Sequence, residues 1–137
     1  MHIIIAGCSR VGANLVNRLS EEGHNVVVID RDSNSFLQLG GGSNCMSITG
    51  MPIDEDVLKE AGIEMADALA AVTTDDNTNI MIAQIARQLY RVPKVITQTN
   101  DPERQQVLTF MGLETICPTT LTVERFFTAL TKGEADK

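Results

Sequence analysis

Gly7-Cys8-Ser9-Arg10-Val11-Gly12 follows an apolar run, His2-Ile3-Ile4-Ile5-Ala6, and precedes a helical pattern carried by Val11, Leu15, Val16 and Leu19. A buried strand that turns through glycine into a helix leaves backbone N–H groups free at the helix start, and these favour a phosphate or pyrophosphate. Gly7 suits the tight turn, and Gly12 lets the helix pack close to the strand. Ser9 stands where G-x-G-x-x-G motifs carry their middle glycine. Its Cβ narrows the approach to phosphate, while its hydroxyl offers a donor. Asp30 ends the next apolar run, Val26-Val27-Val28-Ile29, where an acid holds ribose hydroxyls. An acid there disfavours a 2'-phosphate and favours NAD over NADP, although the adjacent Arg31 is able to hold a phosphate. ATP, ADP and AMP share the same adenosine and stay open as ligands.

Outward from this loop, continuous apolar runs alternate with helical periods. Strands are expected at 2–6, 26–29, 45–48, 68–72, 95–97 and 115–117, and such runs mark strands covered on both faces. Helices are expected from Val11 to Gly23, over Ser33–Leu39, over Asp54–Ala61 and from Asn77 to Tyr90. Another opens at Asp101-Pro102, an N-cap followed by proline at the first helical position, and Gly112 ends it. The run Gly40-Gly41-Gly42 is a firm stop for the second helix. The pattern predicts an α/β, doubly wound, mostly parallel six-stranded Rossmann-like sheet with strand order 3-2-1-4-5-6. Residues 1–118 form the nucleotide-binding domain in this reading, and 119–137 form a carboxyl-terminal helix and tail. Val123, Phe126, Phe127 and Leu130 give that helix an apolar face, expected to meet a neighbouring subunit, the alternative being to fold back onto its own sheet. Residues 132–137 read as a frayed tail.

The chain has 137 residues, which suits one domain, and 43% of them are hydrophobic. Its formal net charge of -7 argues against nucleic-acid binding and against a polybasic membrane-surface module. No apolar run is long enough to span a bilayer. The three cysteines Cys8, Cys45 and Cys117 form no C-x-x-C pair, which disfavours a disulfide framework or a zinc cage and suggests a reducing compartment. No metal is expected. Asp75 and Asp76 are read as caps for the helix that follows rather than as cation ligands. Cys8, near a helix start, is read as a small spacer in the turn, with redox sensing as the alternative. His2 begins the first strand and His24 precedes the second, both at the amino-terminal edge away from the ligand, so a histidine base is not available beside the loop.

Beyond the glycine loop, the stretches Val27–Asp32, Leu58–Ala68, Ala71-Val72-Thr73 with Asp75, Asp76 and Asn79, and Asn100-Asp101-Pro102-Glu103 carry a family likeness. The chain resembles the amino-terminal nucleotide-binding (KTN, or RCK N-lobe) domain of Trk/Ktr-type potassium-uptake regulatory proteins from about residue 1 to 120. The resemblance implies a cytoplasmic, non-enzymatic regulatory domain that binds NAD(H) or ATP, ADP or AMP. It implies a homodimer or larger ring that gates a potassium channel or transporter at the inner face of the membrane. It also implies site residues: Gly7, Cys8, Ser9, Arg10 and Val11 around phosphate, Asp30 and Arg31 at ribose, Gly50 and Met51 beside adenine, Thr73 and Thr74 near ribose or phosphate, and Gln98 near a distal phosphate. Members often carry Gly-Asp where this chain has Gly50-Met51, and Arg where it has Gln98. Two other functions compete: the cofactor domain of an NAD-dependent oxidoreductase, and an assembly module with a vestigial pocket.

Overall fold

The run His2–Ala6 becomes β1, the strand from which the sheet extends in both directions. The computed structural model describes residues 1–40 and 45–132. The other strands are β2 (Asn25–Asp30), β3 (Cys45–Thr49), β4 (Ala68–Ala71), β5 (Lys94–Gln98) and β6 (Glu114–Ile116). Their order is 3-2-1-4-5-6, as expected, and every pairing is parallel. Ile4 pairs with Val27 on one side and Leu69 on the other, which centres the apolar runs on one another. The helices are α1 (Arg10–Glu21), α2 (Glu55–Glu60), α3 (Asp76–Gln84), α4 (Pro102–Phe110) and α5 (Pro118–Thr131).

Side chains alternate across the sheet and divide the core in two. Ile3, Ile5, Val26 and Val28 pack under Ala13 and Val16 of α1. Ile4, Val27, Ile29 and Leu69 face the other way, against Leu58 of α2, Ile82 of α3 and Ala86. Right-handed crossovers explain the division. The chain steps one way from β1 to β3 and the other way from β4 to β6, so its helices fall on opposite faces. The result leaves one face half covered. Ala68, Ala70, Ile96 and Ile116 lie on the α1 side, and with Val11 and Leu15 they line an apolar groove of about 330 Å3.

Three local departures from expectation have physical causes. The segment Ser33–Gln38 is a 3-10 helix rather than an α-helix. It is short and rich in Ser and Asn, and the Asp32 side chain accepts from the Asn34 N–H, a turn-like start that favours the tighter winding. Helix α3 continues into a wider π turn over Ile85–Leu89. The wider turn shifts the apolar stripe by one residue. Leu89, placed on the buried stripe by an ideal period, is 63% exposed, while Tyr90 packs on the core and donates its hydroxyl to Glu55 Oε1 at 2.8 Å. Cys117 is not in β6 but is the N-cap of α5. The glycines at 41 and 42 and the tail from 133 to 137 lie outside the described residues.

Candidate functional site

The carboxyl ends of β1, β2, β3 and β4 meet around the glycine loop. Gly7 sits at φ 112°, where a Cβ would stand 2.7 Å from the Thr73 nitrogen, so glycine is required there. At Gly12 a Cβ would stand 2.0 Å from the Gly7 oxygen, and the close approach of α1 to β1 depends on its absence. Ser9 caps α1. Its Oγ accepts from the Gly12 N–H at 3.2 Å and donates to the Val72 carbonyl at 2.7 Å. The donor expected for phosphate is therefore already committed to tying the loop to β4. The N–H groups of Ser9, Arg10 and Val11 make no hydrogen bond among the described residues. They are the open donors of a helix start, with the partial positive charge that favours an anion.

Asp30 is held rather than free. One carboxylate oxygen accepts from the Cys8 N–H at 2.9 Å and the other from the Asp32 N–H at 2.8 Å. Each carboxylate oxygen has more than one acceptor direction, so ribose hydroxyls can still donate to it. The carboxylate thus fixes the distance between the β2 end and the glycine loop.

The opposite wall is the start of α3. Asn79 is fully buried and uses its whole amide. Its Oδ1 accepts from the Thr73 N–H at 2.8 Å and the Thr73 hydroxyl at 2.6 Å. Its Nδ2 donates to the Thr73 and Gln98 carbonyls, both at 3.0 Å. The ends of β4 and β5 are clamped together by this one side chain. Asp75 caps α3, accepting from the Thr78 N–H at 2.9 Å and its hydroxyl at 2.6 Å. Asp76 accepts from the Thr99 hydroxyl at 2.8 Å and the Asn100 N–H at 3.1 Å. The expected capping role holds for Asp75, while Asp76 ties α3 to the loop after β5.

A cleft of about 490 Å3 lies between these walls. Of the expected site residues, Cys8, Ser9, Asp30, Arg31, Met51, Thr73 and Thr74 line it. Gly7 and Gly50 are not in the lining. Gly50 donates its N–H to the Asp30 carbonyl, and a Cβ on it would meet a Val57 methyl at 2.8 Å. Arg10 and Val11 stand on an adjoining shallow surface with Asn14 and Arg18, and Gln98 borders the apolar groove. Asp32, Ser35, Pro52, Asp75 and Thr78 also line the cleft, beyond the expected set. Asp32 and Pro52 each adjoin the expected residues, and Thr78 is one turn into α3. Counting one helical turn beyond each strand end would have found it. His2 and His24 are at the far edge, bonded to the Ala61 carbonyl and the Met1 amino group.

Residues 3–118 match the family model of the TrkA-N domain. The chain belongs to that family. It is 41% identical over 136 residues to the Trk system potassium uptake protein TrkA of Streptomyces coelicolor, covering 99% of this chain and 61% of that relative. The chain therefore spans about three-fifths of that protein's length. Among solved structures, the TrkA-N domain of the inner membrane protein ybaL from Escherichia coli superposes with a TM-score of 0.81 at 19% identity, covering 96% of each chain. A GsuK channel bound to NAD superposes with a TM-score of 0.73 at 24% identity, covering 91% of this chain and 22% of that one. These likenesses establish the shared fold.

In this TrkA-N domain the cleft thiol is quiet. Burial, then the Asp30 carboxylate, then Cys45 push the Cys8 thiol up to about 11, and its Sγ lies 3.4 Å from the Ser35 carbonyl. That disfavours the thiolate a redox sensor needs. Because the folded value is raised, the thiol's stability contribution is complete below its ordinary value of 9.0 and is lost as pH rises through about 11. Thiol labelling at pH 8 is expected to modify Cys45 while Cys8 and Cys117, both buried, stay protected until denaturant is added. Rapid labelling of Cys8 in the native protein would reject this account.

Proposed function

We propose that this chain is the nucleotide-binding domain of a cytoplasmic potassium-uptake regulator and works by binding rather than by catalysis. One observation carries the reading: the start of α1, with its open N–H donors, enters the cleft at Ser9, where the oriented Asp30 carboxylate also stands. The donors suit a phosphate and the carboxylate suits ribose. Met51, half exposed at the β3 end, and Pro52 supply an apolar surface for adenine. NAD(H) and the adenine mononucleotides ATP, ADP and AMP fit this chemistry. The name of the Streptomyces relative and the NAD in the channel structure support the reading.

A second copy belongs to this proposal. Helix α5 buries none of its residues, with Phe126 at 65% and Leu130 at 80% exposure. In this proposal helix α5, which lies within the 119–137 segment but for its first residue, is the interface element of the 1–118 domain. The apolar groove beside α1 is the matching surface, and exchange of α5 between two copies would close both grooves under two-fold symmetry. A ligand that binds two arrangements of such a pair unequally can drive a membrane-embedded potassium channel or transporter. The paired variant Phe126→Ser with Phe127→Ser is expected to sediment as a monomer where the unaltered chain sediments as a dimer. Equal masses for both would reject α5 as the interface.

Titration calorimetry of nucleotide-free, folded protein with NADH, NAD, ATP, ADP and AMP tests the binding function. Micromolar affinity for at least one is expected. No heat from any of them would leave assembly as the domain's role.

A further inference from the structure

The two helix starts that face the cleft are not alike. At α1 the cap is the neutral Ser9 on the cleft wall, and its N–H and those of Arg10 and Val11 on the adjoining surface make no hydrogen bond among the described residues. At α3 an anion is already in place: the Asp75 carboxylate occupies the Thr78 N–H and hydroxyl. The cleft therefore offers one phosphate seat, with a fixed negative charge on the facing wall. Its charged lining residues are the carboxylates Asp30, Asp32 and Asp75 and the guanidinium of Arg31. The Thr78 hydrogen bonds, and more weakly Arg104 and Arg31, hold the Asp75 carboxyl below its ordinary value, so it stays ionised at neutral pH. Gln98, which brings no charge, lies outside the cleft lining.

Resting on the nucleotide-binding reading above, we infer that Asp75 sets the ligand's charge: the cleft takes a dinucleotide whose pyrophosphate is esterified at both ends, and Asp75 rejects the terminal phosphate of a nucleoside triphosphate. A pyrophosphate with esters at both ends carries fewer charges than a free triphosphate, and its outer ends are neutral nucleosides. A triphosphate seated at α1 would extend its most highly charged group toward the α3 wall. Like charges at close range in a partly enclosed cleft disfavour binding, and here the repelling group is held in place by two hydrogen bonds.

The test is calorimetric titration with NADH and with ATP, in buffer with a chelator so that no divalent cation masks the phosphates. Three proteins are compared: the unaltered chain, Asp75→Asn and Asp32→Asn. Asparagine is a good N-cap and keeps an acceptor for the Thr78 N–H, so the first variant should fold, which melting confirms. NADH is expected to bind the unaltered chain at least ~10-fold more tightly than ATP. Asp75→Asn is expected to raise ATP affinity by ~10-fold while moving NADH by less than ~3-fold. Asp32→Asn removes an equal charge beside Asp30, at the ribose end, and is expected to leave the ratio of the two affinities within ~3-fold of its starting value. ATP binding as tightly as NADH to the unaltered chain would overturn the inference and leave the nucleotide-binding function standing. So would an equal effect of Asp75→Asn on both ligands, or of the two variants on the ratio. Absence of binding by both nucleotides to all three folded proteins would sink the function and the inference together.

Discussion

Asn79→Ala is expected to lower the midpoint of thermal unfolding by about 10–15 °C, followed by circular dichroism on the unaltered chain and the variant side by side. The size follows from what the side chain holds. Its amide makes four hydrogen bonds, two accepted and two donated, and all four go to groups at the ends of β4 and β5. Removing it strands the Thr73 N–H and two carbonyls, and each buried polar group left alone costs on the order of 1–3 kcal/mol. A loss of about 3–4 kcal/mol results if some of these groups recover water. Asn79→Asp is no remedy, although it has nearly the same shape. It replaces the donating amide nitrogen with an oxygen facing the Thr73 and Gln98 carbonyls, in a site with no exposed surface. A charge there is costly unless it is paired. Both variants should therefore melt well below the unaltered chain. A shift under about 3 °C for either would mean that water already satisfies those groups.

Much of this architecture is legible in the sequence because the central strands are buried on both sides. Ile3-Ile4-Ile5 and Val26-Val27-Val28-Ile29 are short continuous β-branched runs, the pattern of strands under two layers, and the glycine spacing between them is forced by contacts that leave no space for a Cβ. Legibility fades where tertiary contacts choose among local options. Edge strand β3 buries only Ile48, so Cys45 to Thr49 carries a weak pattern. The π turn after Gln84 cannot be read from Ile82, Ile85, Ala86 and Leu89, which satisfy an ideal α-helical period until one extra residue is inserted. Hydroxyls and carboxylates are harder still. Ser9 looks like a phosphate donor until the Val72 carbonyl is seen to accept its hydroxyl's hydrogen bond, and Asp75 looks like a plain cap until its position on the cleft wall is known. Asn79 belongs to the family resemblance, yet its physical role as a clamp between two strands rests on contacts that no spacing rule contains.

Asp30→Ala is expected to weaken nucleotide binding by about 100-fold in the same calorimetric titration, from two lost charge-assisted hydrogen bonds to ribose at about 1.5 kcal/mol each. Ligand contacts are only part of the loss. The carboxylate also accepts from the Cys8 and Asp32 N–H groups, so it holds the glycine loop at a fixed distance from the β2 end. The variant should melt lower in the ligand-free state as well, and binding is therefore measured at a temperature where both proteins are folded. Asp30→Asn separates the two roles. It keeps one acceptor oxygen but turns an amide toward an N–H group, which loosens the loop while preserving part of the ribose contact, and a smaller loss of about 10-fold is expected. In cells, equal amounts of the Asp30→Ala protein should leave potassium uptake insensitive to the nucleotide that binds in vitro. Unaltered affinity in Asp30→Ala would show that the ligand lies elsewhere. Unaltered regulation with lost affinity would show that the cleft binds a nucleotide which does not drive the transporter.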